Sequence, residues 1–140
     1  MLLDDSADYC EAAAVLLNLR GYVARYKRRG RELIDDLSQL RGVDFLCTDY
    51  YMPDMNGVQL ITAVRAQFPD LPTAVVTGSK DESIAIALQR LPGRCHLLYK
   101  PLDFDDLCDI IDRDTGGPAP TAPPGVAPIG TAGAVGGPGG

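Results

Sequence analysis

The chain has 140 residues, 46% of them hydrophobic, with 13 Lys or Arg against 19 Asp or Glu and a net charge of −6. That length suits one domain with a real core rather than two, and the acidic balance argues against direct nucleic-acid binding. No apolar run reaches the length of a membrane span and no secretion signal opens the chain, so the expected location is cytoplasmic.

The first apolar run, Leu2-Leu3, ends in the carboxylate pair Asp4-Asp5. Ser6 is an N-cap signal, and Cys10, Ala13, Ala14 and Leu17 recur at helical spacing before a stop at Gly21. Tyr22 to Tyr26 reads as a short edge strand. The basic residues Arg25, Lys27, Arg28, Arg29 and Arg31 read as a solvated loop or as a docking surface for an acidic partner. Leu33, Leu37 and Leu40 form the next helical stripe, and Val43 to Thr48 is a buried strand leading into Asp49. Asn56 and Gln59 make a capping box that opens a helix carrying Val58, Ile61, Val64 and Phe68.

Thr73 to Thr77 is a further strand. Asp81 caps a helix with Ile84, Ala87, Leu88 and Leu91 on its apolar face; Ile86 lies off that face, as an exposed contact would. Cys95 to Tyr99 is the last strand and runs into Lys100-Pro101, where a cis bond would aim the lysine inward. Asp103 caps a final helix with Phe104, Leu107, Cys108 and Ile111 inward. The last charges are Asp112, Arg113 and Asp114; beyond them come only Gly, Pro, Ala, Thr and a few aliphatics. The expected organisation is therefore a domain over 1–114 and a disordered tail or truncated linker over 115–140.

Five β-α repeats imply an α/β fold, a doubly wound parallel sheet with helices on both faces. In such a sheet the strand ends gather along one edge, where open α/β folds bind ligands. Four runs end there in polar groups: Asp4-Asp5, Asp49, Thr77 and Lys100. Three carboxylates suit Mg²⁺, which relieves their mutual repulsion and can bridge to a phosphate. A carboxylate can attack phosphorus, and Asp49 is the best-placed nucleophile; Lys100 and Thr77 would contact the phosphoryl oxygens. Cys10, Cys47, Cys95 and Cys108 form no C-x-x-C pair and read as buried free thiols, and a lone His96 supplies neither a zinc site nor a hydrolytic triad.

Asp49-Tyr50-Tyr51-Met52-Pro53-Asp54-Met55-Asn56-Gly57 resembles the phosphoacceptor segment of two-component response regulator receiver domains, D-x-x-M-P-x-M-(D/N)-G. Asp4-Asp5, Thr77-Gly78 and Lys100-Pro101 match the family's other motifs, and the resemblance runs from Met1 to about Asp114. It implies the flavodoxin-like (βα)5 architecture with five parallel strands. It also implies a phosphorelay role: a sensor histidine kinase or phosphotransfer protein would place a phosphoryl group on Asp49. Mg²⁺ would be held by Asp5, Asp49 and the Tyr51 backbone carbonyl, with Asp4 assisting. Thr77 and Lys100 would sense the phosphoryl oxygens and reshape the face of the last two helices and the strand between them, where an output protein or a second copy would bind.

The implied protein is a phosphoacceptor signalling domain, with at most self-phosphorylation and self-dephosphorylation. Tyr51 and Ser79 would flank the water-exposed side of the phosphate. Two departures stand out: only three residues precede Asp4, and Leu97 stands where the family often has a switch aromatic, with Tyr99 expected to face away from it. A third departure is that no DNA-binding or enzymatic output domain follows within these 140 residues, whose neutral tail reads equally as a linker cut short. Two other classes compete, an interaction module with a relic acidic pocket and an aspartyl-phosphate phosphatase. The second commonly needs an acid two residues after its nucleophile, where this chain has Tyr51.

Overall fold

A computed structural model describes residues 1–117. Five parallel strands, β1 (Leu2–Leu3), β2 (Tyr26–Lys27), β3 (Leu46–Asp49), β4 (Thr73–Thr77) and β5 (Cys95–Tyr99), form one sheet in the order β2-β1-β3-β4-β5. Between and after them run helices α1 (Ala7–Leu19), α2 (Gly30–Ile34), α3 (Gly57–Arg65), α4 (Glu82–Gln89) and α5 (Phe104–Thr115), with a 3₁₀ turn at Leu37–Leu40. The fold is the expected doubly wound, flavodoxin-like sheet. Helix α5 closes on Gly116 in the left-handed conformation, φ 82°, which a side chain would resist. Of the expected tail over 115–140, Thr115 ends α5 and Gly116 caps it, while residues 118–140 lie outside the described residues.

Strand alternation sorts the core into two layers. Leu2, Cys47, Ala74 and Val76 face α1 and α5 and pack with Ala13, Leu17, Leu107 and Ile111. Leu3 and Leu46 face the other way, onto Leu33, Leu40, Leu60 and Val64. On that same layer Val75 meets Ile61, Ile84 and Leu88. Cys10, Cys47 and Cys108 are buried free thiols and Cys95 is half-buried. Arg65, 7% exposed, is the unexpected polar member of α3. Its guanidinium donates to the Pro92, Leu71 and Arg94 carbonyls and to Thr73 Oγ1, tying α3 to the loop ahead of β5.

Three elements depart from the sequence reading. The edge strand is Tyr26–Lys27, not Tyr22–Tyr26: the Tyr22 and Ala24 amides are spent on the Leu17 carbonyl and the Asn18 side chain, and β1 begins only at Leu2. The stripe Leu33, Leu37, Leu40 is split into α2 and the 3₁₀ turn, because Asp36 accepts from the Ser38 amide and starts a new cap. Strand β3 starts at Leu46 rather than Val43 for want of a neighbour on its β1 side.

That short β1 leaves a slot at the edge of the sheet opposite the site. Met1 donates its terminal ammonium to the Phe45 carbonyl at 3.0 Å. Among the described residues the next amides down the flanks, Arg25 and Phe45, have no acceptor. A cavity of about 360 Å³ lies there, lined by Met1, Leu17, Val23, Val43, Phe45 and Ile111 among others. Burial holds the Met1 amine down at about 6.

Candidate functional site

The pit is built where β1 and β3 end. The Asp4 amide still pairs with the Lys27 carbonyl, at 3.2 Å, so the strand holds its backbone. One Asp4 carboxylate oxygen accepts from the Ser6 amide at 2.9 Å, locking the turn into α1. Asp4 is buried and Asp5 exposed. Asp49 closes β3 at 9% exposure. Tyr50 donates to the Val76 carbonyl, and the Gly57 amide to the Tyr50 carbonyl, each at 2.8 Å, which folds the loop back under Asp49. Oxygens of Asp4, Asp5 and Asp49 all lie within 4.8 Å of one another. Such an all-oxygen, like-charged donor set fits a hard divalent cation.

Lys100 enters from β5. Its amide donates to the Thr77 carbonyl at 2.9 Å, and the Lys100–Pro101 peptide is cis. The ammonium lies 3.2 Å from an Asp4 oxygen and 3.5 Å from an Asp49 oxygen. It also stands 5.3 Å from the centre of the Tyr9 ring. Burial raises the Asp49 carboxyl to about 6, with Asp4 adding and Lys100 opposing. Burial works against the Lys100 charge, yet Asp49 and Asp4 outweigh it and hold the ammonium above the ordinary lysine value.

Thr77 ends β4 fully buried, its hydroxyl oxygen accepting from the Ser79 amide at 3.0 Å. Tyr51 is 55% exposed beside the pit, its ring edge-on to Tyr50 with centroids 4.7 Å apart. On the face of α4, β5 and α5, Leu97 packs with Val75, Ile84 and Leu88. Tyr99 is 46% exposed; residues two apart share a strand face, so it lies on Leu97's side rather than away from it. Ile86 is exposed, as its register implied.

Two neighbours escaped the sequence reading. Asp54 accepts from the Gly30 and Arg31 amides, at 3.3 and 2.8 Å, so the loop after Asp49 caps α2. These bonds outweigh burial and hold its carboxyl below the usual range. Gly30 also lets the neighbouring Met55 close in, since a Cβ there would collide with the Met55 side chain. The second is Tyr9, one helical turn before Ala13 on the apolar side of α1; that spacing was the available signal.

The response regulator receiver domain model matches residues 1–112. The chain is 28% identical over 113 residues to the transcriptional regulatory protein ZraR of Escherichia coli O157:H7, covering 81% of this chain and 25% of that one. It is 30% identical over 117 residues to the transcriptional regulatory protein FixJ of Bradyrhizobium diazoefficiens, covering 79% and 53%. The chain thus spans from a quarter to about half the length of these relatives. A response regulator receiver domain protein from Clostridium thermocellum superimposes with a TM-score of 0.75 at 21% identity, over 82% of this chain and 91% of that one. A response regulator receiver protein from Pseudomonas putida gives 0.73 at 27%, over 80% and 93%.

Proposed function

The chain belongs to the response regulator receiver domain family of two-component signalling, and from that premise we propose that it accepts a phosphoryl group on Asp49. The donor is the phosphohistidine of a sensor kinase or phosphotransfer protein. An Asp49 oxygen attacks phosphorus, the new O–P bond forms as the P–N bond breaks, and the imidazole nitrogen leaves, taking a proton from solvent. Lys100 pairs with the arriving phosphoryl oxygens and Thr77 turns its hydroxyl toward them. Asp5, Asp49 and the Tyr51 carbonyl would hold Mg²⁺, with Asp4 assisting, and the bound cation would supply neutralisation of the charge that gathers in the pit.

The observation that carries this reading is the Lys100 ammonium at 3.2 and 3.5 Å from two members of a three-carboxylate pit. We take the acceptor unit to be residues 1–114, acting in the cytoplasm. Its output runs through the face of α4, β5 and α5 to a partner protein or a second copy, as a population shift biased by new charge-assisted contacts. The test is incubation with Mg²⁺ and acetyl phosphate followed by intact mass. A phosphoryl mass gain that vanishes in Asp49→Asn is expected; no gain in the unaltered protein overturns the reading.

A further inference from the structure

Lys100 is held by more than its two carboxylates. Its ammonium stands 5.3 Å from the centroid of the Tyr9 ring, inside the range of cation–π attraction. The ring is fixed there from two directions. Tyr9 is the third residue of α1, and its amide donates to the Ser6 N-cap hydroxyl at 3.2 Å. The Ser6 amide in turn donates to Asp4 at 2.9 Å. The turn that sets Asp4 therefore also sets the ring, and the half-buried Tyr9 packs against the core layer of α1 and α5.

We propose that Tyr9 is a positioning residue for Lys100, its ring face keeping the ammonium over the pit when the carboxylates are otherwise engaged. The proposal rests on the phosphoacceptor reading. A divalent cation on Asp4, Asp5 and Asp49 competes with the ammonium for the same oxygens, and two cations around one set of carboxylates repel. The Asp4 and Asp49 contacts weaken at the moment Lys100 is needed for the incoming phosphoryl group. The ring quadrupole is not consumed by the metal. It leaves the lysine a second anchor on the side of the pit where α1 begins, so the side chain stays ordered instead of swinging into solvent.

The test replaces Tyr9 by phenylalanine and then by phenylalanines carrying one, two and three ring fluorines, which drain the ring's negative face at nearly constant shape. Uptake from acetyl phosphate at saturating Mg²⁺ is the readout. Tyr9→Phe should stay close to the unaltered rate, and the trifluorinated ring should slow uptake by about threefold, the size of a modest cation–π contact. Mg²⁺ affinity by calorimetry and the melting temperature should stay level across the series, and in a Lys100→Met background the rate should not respond to fluorination. A rate flat across the series in a protein that still gains the phosphoryl mass overturns the positioning role and leaves the phosphoacceptor reading standing. An unaltered protein that takes no phosphoryl group overturns both.

Discussion

Asp49 holds a carboxylate where the surroundings resist charge. Its folded pKa of about 6 lies above the ordinary 3.8, chiefly through burial. The folded state then binds the proton more tightly than the unfolded chain does. In metal-free protein this group costs stability above pH 6, and the cost fades as pH falls from 6 toward 4. Asp49→Asn should therefore stabilise the metal-free fold at pH 7, by on the order of 2 kcal/mol, and flatten that limb of the pH–stability curve measured by urea unfolding. Tyr51 acts at the same scale but on kinetics. It is half-exposed beside the pit and braced on Tyr50. Tyr51→Ala should shorten the half-life of the phosphorylated protein, about threefold if shielding is worth one lost aromatic contact; loss of the phosphoryl mass with time checks it. The gathering of Asp49 with Asp4, Asp5 and Lys100 was legible from residue type and order. Tyr9 was not, because its partner Lys100 lies 91 positions away and only folding joins them.

Strands read well from sequence where a neighbour runs along their whole length. Thr73–Thr77 and Cys95–Tyr99 match their apolar runs, since each is paired along its whole length. The Asn56–Gln59 capping box formed as its spacing implied, both bonds at 2.9 Å. Helix α2 read poorly. Its five residues are held from outside by Asp54, while Asp36 recruits the next residues into a separate turn. Removing that outside cap should matter more than helix propensity. Asp54→Ala is expected to cost about 1–2 kcal/mol in chemical unfolding, the usual worth of a helix cap with charge-assisted bonds. Hydrogen exchange should show the Gly30 and Arg31 amides losing protection first, and protection unchanged in the variant would refute the cap.

For the molecule as a whole, parallel strands explain why groups spread from Asp4 to Lys100 meet at one end. All strand ends lie along one edge, and the convergence was readable from order and alternation alone. Long-range polar ties were not readable. Arg65 looks like a solvent-facing helix residue in sequence, yet it is buried under three carbonyls from two loops. The opposite edge carries its own lesson. Between Arg25 and Phe45 two amides find no acceptor among the described residues, beside an apolar hollow and an amine whose proton is easily lost. A three-residue Val-rich leader fused ahead of Met1 would enter as added strand, its carbonyls meeting those amides and its backbone replacing the amine. Such a graft should raise stability by about 2 kcal/mol at pH 7. It should also erase the gain in stability that the ungrafted chain shows as pH climbs from 6 to 8, where its unfolded amine still takes up protons and its folded one does not. The acidic pit at the other end of the strands would be left untouched, so the far rim of the sheet is the place to strengthen the fold.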